Sequence, residues 1–189
     1  PGIVPALLDS LPYLVDYPYG CVEQTVSRFL PAALVARLLR DLNFSAAEIE
    51  QRIFSSKSPA PPGRAPAAGV GQLDAVIAQS LARLEEAQLP NGGFGWFPRG
   101  EPDAYMTAYV LRGLNQATAA GLAVPEHLLS RTRQAVFQSL GETKTNPLPP
   151  ATLAWVLFSA TGCSEKPTAL ELSTLDRVFT TLFAVRAKL

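Results

Sequence analysis

Residues 17 to 42 read YPYGCVEQTVSRFLPAALVARLLRDL, and the pattern of this stretch decides the fold. From Val26 onward the apolar positions Phe29, Leu30, Ala33, Leu34, Leu38 and Leu42 recur at helical spacing and cover more than one stripe. A helix apolar on several sides is one packed on several sides. The predicted helix runs from Cys21 to Leu42, so Cys21 and Gln24 stand on its first turn. Side chains three residues apart on a helix point the same way, with Cβ atoms about 5–6 Å apart. A thiol at a helix N-terminus is biased toward thiolate by the unpaired N–H groups there. Cys21 is therefore placed to attack the Gln24 side-chain carbonyl and expel ammonia, which leaves an internal thioester, a stored acylating agent. Pro18 fixes one backbone torsion ahead of the turn, and Gly20 permits a close or left-handed approach that a Cβ would block.

Two other readings of Cys21 stay open on the residues alone. It is an ordinary buried thiol if Glu23 and Gln24 are merely first-turn residues favoured by the helix dipole. It is half of a disulfide if it pairs with Cys163, although two cysteines in 189 residues do not make a disulfide scaffold.

The rest of the chain is helix after helix. Ile3, Leu7, Leu8, Leu11 and Leu14 pattern a helix over 4–15, with Pro12 a kink. Ser45 and Glu48 have capping-box spacing for a short helix to Phe54. Residues 55–71, SSKSPAPPGRAPAAGVG, read as a Pro/Ala/Gly-rich loop or insertion. Leu73, Val76, Ile77, Leu81 and Leu84 pattern the next helix, and the Gly-rich QLPNGGFGWF, residues 88 to 97, follows it. Further helices are predicted at about 102–117, 125–140, 149–160 and 169–187. No segment alternates with a period of two, so the fold class is all-α.

The segment PYGCVEQ resembles the thioester signature of the alpha-2-macroglobulin and complement superfamily, and YPYGCVEQT is most similar to the bacterial alpha-2-macroglobulins. QLPNGGFGWF, with DAYMTAYVLRGL at 103 to 114, is similar to that family's helical-hairpin repeat. The resemblance implies one thioester-containing helical domain over residues 1–189, built as an α/α toroid of hairpins and here a partial ring, since a complete ring in that family holds more helices than these residues supply. An incomplete ring leaves an apolar face, from which self-association is expected. The chain opens on Pro1 and is expected to be the N-terminal part of that domain, excised from a longer protein.

The resemblance also implies the chemistry. Cys21 and Gln24 form the thioester, with Gly20 and Glu23 completing the motif. Tyr17, Tyr19, Tyr105 and Met106 are expected to shield it, with Tyr109 close by, while Phe94 and Trp96 plug hairpin ends or join the shield. Complement proteins that prefer hydroxyl acceptors carry a catalytic histidine in a later hairpin. The single histidine here, His127, falls earlier than that position and is expected on the surface of a first turn. Lysine amines of a target protease are then the expected acceptors, and the protein a single-use covalent protease trap that acts after bait cleavage elsewhere in the molecule. The implied partners are target proteases and the rest of the macroglobulin chain. The implied compartment is periplasmic or extracellular, with any inner-membrane anchor in an upstream segment. The alternative is a structural or binding domain whose thioester never forms.

Other classes fit less well. Sixteen basic and sixteen acidic residues leave no bulk charge to recruit nucleic acid or an anionic membrane. No apolar run reaches the roughly 18 residues of a membrane span. One histidine and two distant cysteines match no metal-site spacing, so neither metal nor cofactor is expected. The Gln88, Gly92, Phe94 spacing also resembles the repeat of terpene cyclases, but the aspartate clusters of those enzymes are missing from the sequence. No GxSxG turn accompanies His127 to suggest a hydrolase.

Overall fold

The computed structural model describes residues 20–43, 73–162 and 166–186; the expected helices at 4–15 and 45–54, the loop at 55–71, and Tyr17, Tyr19 and Cys163 lie outside them. The described elements are α1 (Val22–Asp41), α2 (Leu73–Ala87), α3 (Ala104–Ala119), α4 (Glu126–Gly141), a 3₁₀ turn (Glu142–Lys144), α5 (Pro150–Thr161) and α6 (Ala169–Arg186). No strand occurs among the described residues.

Helices pack in two layers. α1, α3 and α5 lie side by side, α3 touching both others, while α2, α4 and α6 each pair with the helix before or after them in the chain. α1 has the least one-sided sequence, and Val22, Val26, Phe29, Ala32, Ala33 and Val35 are all buried along it. Its outer positions depart from the sequence pattern. Leu34 and Leu42 are 47% and 45% exposed, so the apolar surface of α1 is wider than the surface its neighbours cover. Pro31 sits inside α1, where it removes the N–H that would bond the Ser27 carbonyl one turn back. α2 and α3 are amphipathic in the ordinary way. Leu73, Val76, Ile77, Leu81 and Leu84 of α2 and Met106, Val110, Leu111 and Leu114 of α3 face one continuous core. Gly113 lets α1 and α3 approach closely, since a Cβ there would lie 3.1 Å from Val26 Cγ1.

Residues 88 to 103 join α2 to α3 without regular structure, and glycine makes this course possible. Gly92 holds φ +82°, and a Cβ on it would stand 2.5 Å from the Arg131 carbonyl oxygen; a side chain fits neither condition. Phe94 is fully buried at the centre of the loop. Its N–H donates to Thr107 Oγ1 (2.9 Å), and its carbonyl accepts from the Asp103 N–H (2.9 Å). Gln88 Nε2 donates to the Gly92 carbonyl (3.2 Å), the Leu128 carbonyl (3.2 Å) and Thr132 Oγ1 (3.1 Å), tying the end of α2 to the loop and to α4. The Gln88, Gly92, Phe94 spacing thus has a structural role. At the other end of α1, Arg40 Nη1 donates to the Ala120 carbonyl (2.8 Å). On α5 and α6, Phe158, Leu170, Phe179 and Phe183 are more than half exposed.

Candidate thioester site

Cys21 is the N-cap of α1. Its backbone is extended (φ −81°, ψ 155°), and its carbonyl accepts from the Thr25 N–H (3.1 Å) and the Thr25 hydroxyl (3.0 Å). The position normally held by a Ser or Asp oxygen is held by sulfur. Gln24 donates its backbone N–H to Cys21 Sγ at 3.3 Å, which satisfies one of the unpaired donors of the first turn. The same contact keeps the sulfur over residue 24. Cys21 is a free, partly buried thiol. Gln24 Oε1 is buried and has no hydrogen-bond partner among the described residues. A buried amide oxygen without a partner costs about 1–3 kcal/mol, so this side chain is held where its polar end is poorly served.

Glu23 and Ser27 flank Gln24 on the same helix. Ser27 Oγ donates to Glu23 Oε1 at 2.6 Å and lies 3.0 Å from the Tyr109 hydroxyl of α3. Tyr109 belongs to a row of stacked aromatics. Trp96 and Tyr105 lie nearly parallel with centroids 6.3 Å apart, Tyr105 stacks on Trp155 at 5.4 Å, and Trp155 meets Tyr109 at 6.3 Å and Phe158 at 6.1 Å. Trp155 Nε1 donates to the Tyr105 carbonyl (3.2 Å), which satisfies the indole N–H. The Val22 N–H donates to the Trp96 carbonyl at 3.0 Å. The row is therefore tied to α1 at Val22 and at Ser27, two points that bracket Gln24.

The structure sorts the expected residues. Cys21, Glu23 and Gln24 share the first turn, Tyr109 reaches Ser27 of the same helix, and Tyr105 is linked to Tyr109 through Trp155. Met106 is fully buried in the core, its N–H capped by Asp103 Oδ1 at 2.8 Å. Phe94 is a core plug, while Trp96 is 48% exposed and belongs to the aromatic row. At Gly20 a Cβ would meet nothing within 4 Å among the described residues. His127 is on the first turn of α4, two-thirds exposed, with Nε2 2.8 Å from Glu85 Oε1. Sequence reading missed Trp155 and Ser27. A tryptophan in an apolar helix needs a partner for its N–H, and that was the available signal for the first. Ser27 carries none at the level of sequence, because its partner Tyr109 is 82 residues away.

No described helix is long and apolar enough to cross a membrane. The family model described as the A-macroglobulin TED domain matches residues 3–139. Alpha-2-macroglobulin of Thermotoga maritima is 40% identical over 130 residues, which are 69% of this chain and 7% of that protein. Alpha-2-macroglobulin of Escherichia coli is 28% identical over 138 residues, 72% of this chain and 7% of that protein. The chain therefore spans a small fraction of the length of these relatives. In fold, it is similar to the crystal structure of native Escherichia coli alpha-2-macroglobulin running from domain MG7 to the C-terminus, with a TM-score of 0.50 at 20% identity over 93% of this chain and 28% of that one. The all-α class and the hairpins of an α/α toroid are what this fold presents. The chain belongs to the A-macroglobulin TED domain family, the thioester domain of the bacterial alpha-2-macroglobulins.

Proposed function

We propose that Cys21 and Gln24 close an internal thioester and that this domain is the acylating part of a macroglobulin-type protease trap. The observation that carries the reading is the Gln24 N–H on Cys21 Sγ at 3.3 Å beside a buried Gln24 Oε1 that has no hydrogen-bond partner among the described residues. In closure, the sulfur attacks the Gln24 amide carbon, a C–S bond forms, the C–N bond breaks, and the nitrogen leaves as ammonia with the thiol proton. Tyr105 and Tyr109, with Trp96 and Trp155, limit water at the ester, and Tyr17 and Tyr19 are assigned to the same shield. After a protease cuts a bait region elsewhere in the larger protein, a lysine amine of that protease attacks the acyl carbon. An amide forms, and Cys21 is released as a thiol. Each molecule acts once, no cofactor is needed, and the setting is periplasmic or extracellular.

The test is methylamine treatment of the native chain with peptide mapping. The expected result is one methylamide at Gln24 and one newly alkylatable thiol at Cys21. Methylamine incorporation elsewhere, or none together with a thiol reactive from the start, contradicts the reading. Cys21→Ser is expected to abolish incorporation while leaving the fold intact.

A further inference from the structure

We infer that Glu23, held by Ser27 and Tyr109, is the base that takes the proton of the incoming lysine ammonium. The inference rests on the Cys21–Gln24 thioester proposed above and adds the residue that activates its attacker. A lysine side chain in water is an ammonium with no free electron pair, so acylation requires that a proton leave first. His127, the usual kind of base, lies on the exposed first turn of α4 against Glu85 of α2, with no contact to the first turn of α1 among the described residues. Glu23 is the carboxylate beside the acyl-bearing residue. Ser27 follows Glu23 by four positions and Gln24 by three, so it stands on the helix surface between the two. Its 2.6 Å hydrogen bond therefore draws the Glu23 carboxylate toward the Gln24 edge. Tyr109, 3.0 Å from Ser27 Oγ, fixes that hydroxyl from the neighbouring helix.

The surroundings also suit a cation. Tyr109 brings with it the stacked row of Trp155, Tyr105 and Trp96, and aromatic faces attract ammonium groups. Trp96 and Tyr105 are 48% and 41% exposed, so the outer end of the row is within reach of an arriving side chain while Tyr109 stays partly buried at its inner end. The step balances. R–NH₃⁺ gives its proton to the Glu23 carboxylate, and the free amine attacks the acyl carbon. The C–N bond forms as the C–S bond breaks, the amine's second proton passes to the departing sulfur, and Glu23 returns its proton to solvent. A neutral nucleophile lacks the charge attraction to the carboxylate and has no ammonium proton to shed before it attacks.

Rates of ester opening are to be measured on the 189-residue chain with methylamine, cationic near neutral pH, and with hydroxylamine, neutral there, in the wild type and in Glu23→Gln, Ser27→Ala and Tyr109→Phe. The methylamine-to-hydroxylamine rate ratio is expected to fall at least about tenfold in Glu23→Gln, the low side of what a positioned base contributes. It is expected to fall by about fivefold in each of the other two, the scale of one hydrogen bond. Equal loss with both nucleophiles marks Glu23 as structural only and overturns the inference, as does an unchanged ratio. If Glu23→Gln fails to close the ester, the ratios in Ser27→Ala and Tyr109→Phe decide alone. A wild type that never loses ammonia overturns the thioester itself, and this inference with it, whereas an intact ester with an unmoved ratio overturns the base and leaves the thioester standing.

Discussion

Gln88 shows how one side chain can hold three segments. Its amide serves the loop, α4's backbone and Thr132 at once. Gln88→Ala leaves the buried Gly92 carbonyl short of its donor, while the Leu128 carbonyl keeps the Thr132 hydroxyl, and is expected to destabilise the chain by about 1–3 kcal/mol in urea titration. The motif Cys21, Glu23, Gln24 was legible in sequence because its partners are one helical turn apart, and helical spacing is a local rule. Tyr109, Ser27 and Trp155 were not equally legible. Their roles depend on α3 and α5 packing beside α1, a relation that periodicity does not encode. Gly20 was read as part of the motif, and among the described residues a Cβ there would meet nothing within 4 Å.

Among the elements, the loop between α2 and α3 and the N-terminus of α3 form one unit. Asp103 caps α3 through Met106, and Thr107 Oγ1 reaches back to Phe94 and to the Asp103 carbonyl. Asp103→Ala is expected to cost about 1 kcal/mol, the ordinary value of an N-cap. Phe94→Ala, which empties a fully buried site, is expected to cost about 3–5 kcal/mol. Both changes are to be read from denaturant midpoints, and the larger also from the loss of parallel Trp96–Tyr105 stacking in near-ultraviolet circular dichroism. The six described helices were legible to within a residue or two because apolar spacing and Pro or Gly punctuation agree along these segments. Leu34 and Leu42 show the limit: an apolar residue at helical spacing reports what can be buried, not what a neighbour actually covers.

At the scale of the whole molecule, an ion pair among the described residues helps tie α4 to α6. Arg133 of α4 meets Glu171 of α6 through Nε–Oε1 at 2.9 Å and Nη2–Oε2 at 3.0 Å, with both side chains mostly buried. Burial pushes the Glu171 carboxyl up, but the hydrogen bonds from Arg133 and Thr168 and the Arg133 charge outweigh it and hold the group below its ordinary value. A carboxylate depressed on folding binds fewer protons folded than unfolded, so its stabilisation is present above the ordinary carboxylate range and fades as pH falls through the depressed value. Glu171→Gln is therefore expected to lower Tm at neutral pH and to flatten the acid limb of the Tm-against-pH curve. At the same scale, the proposed ester belongs to the capped N-terminus of α1, and α3 and α5 carry the aromatic row proposed as its cover. The most direct test of that account is the intact mass of the native, untreated chain. A closed Cys21–Gln24 ester predicts a mass lower than the sequence by one ammonia, restored as a methylamide on adding methylamine. The full sequence mass from the outset, with Cys21 open to alkylation in freshly prepared native protein, would contradict it.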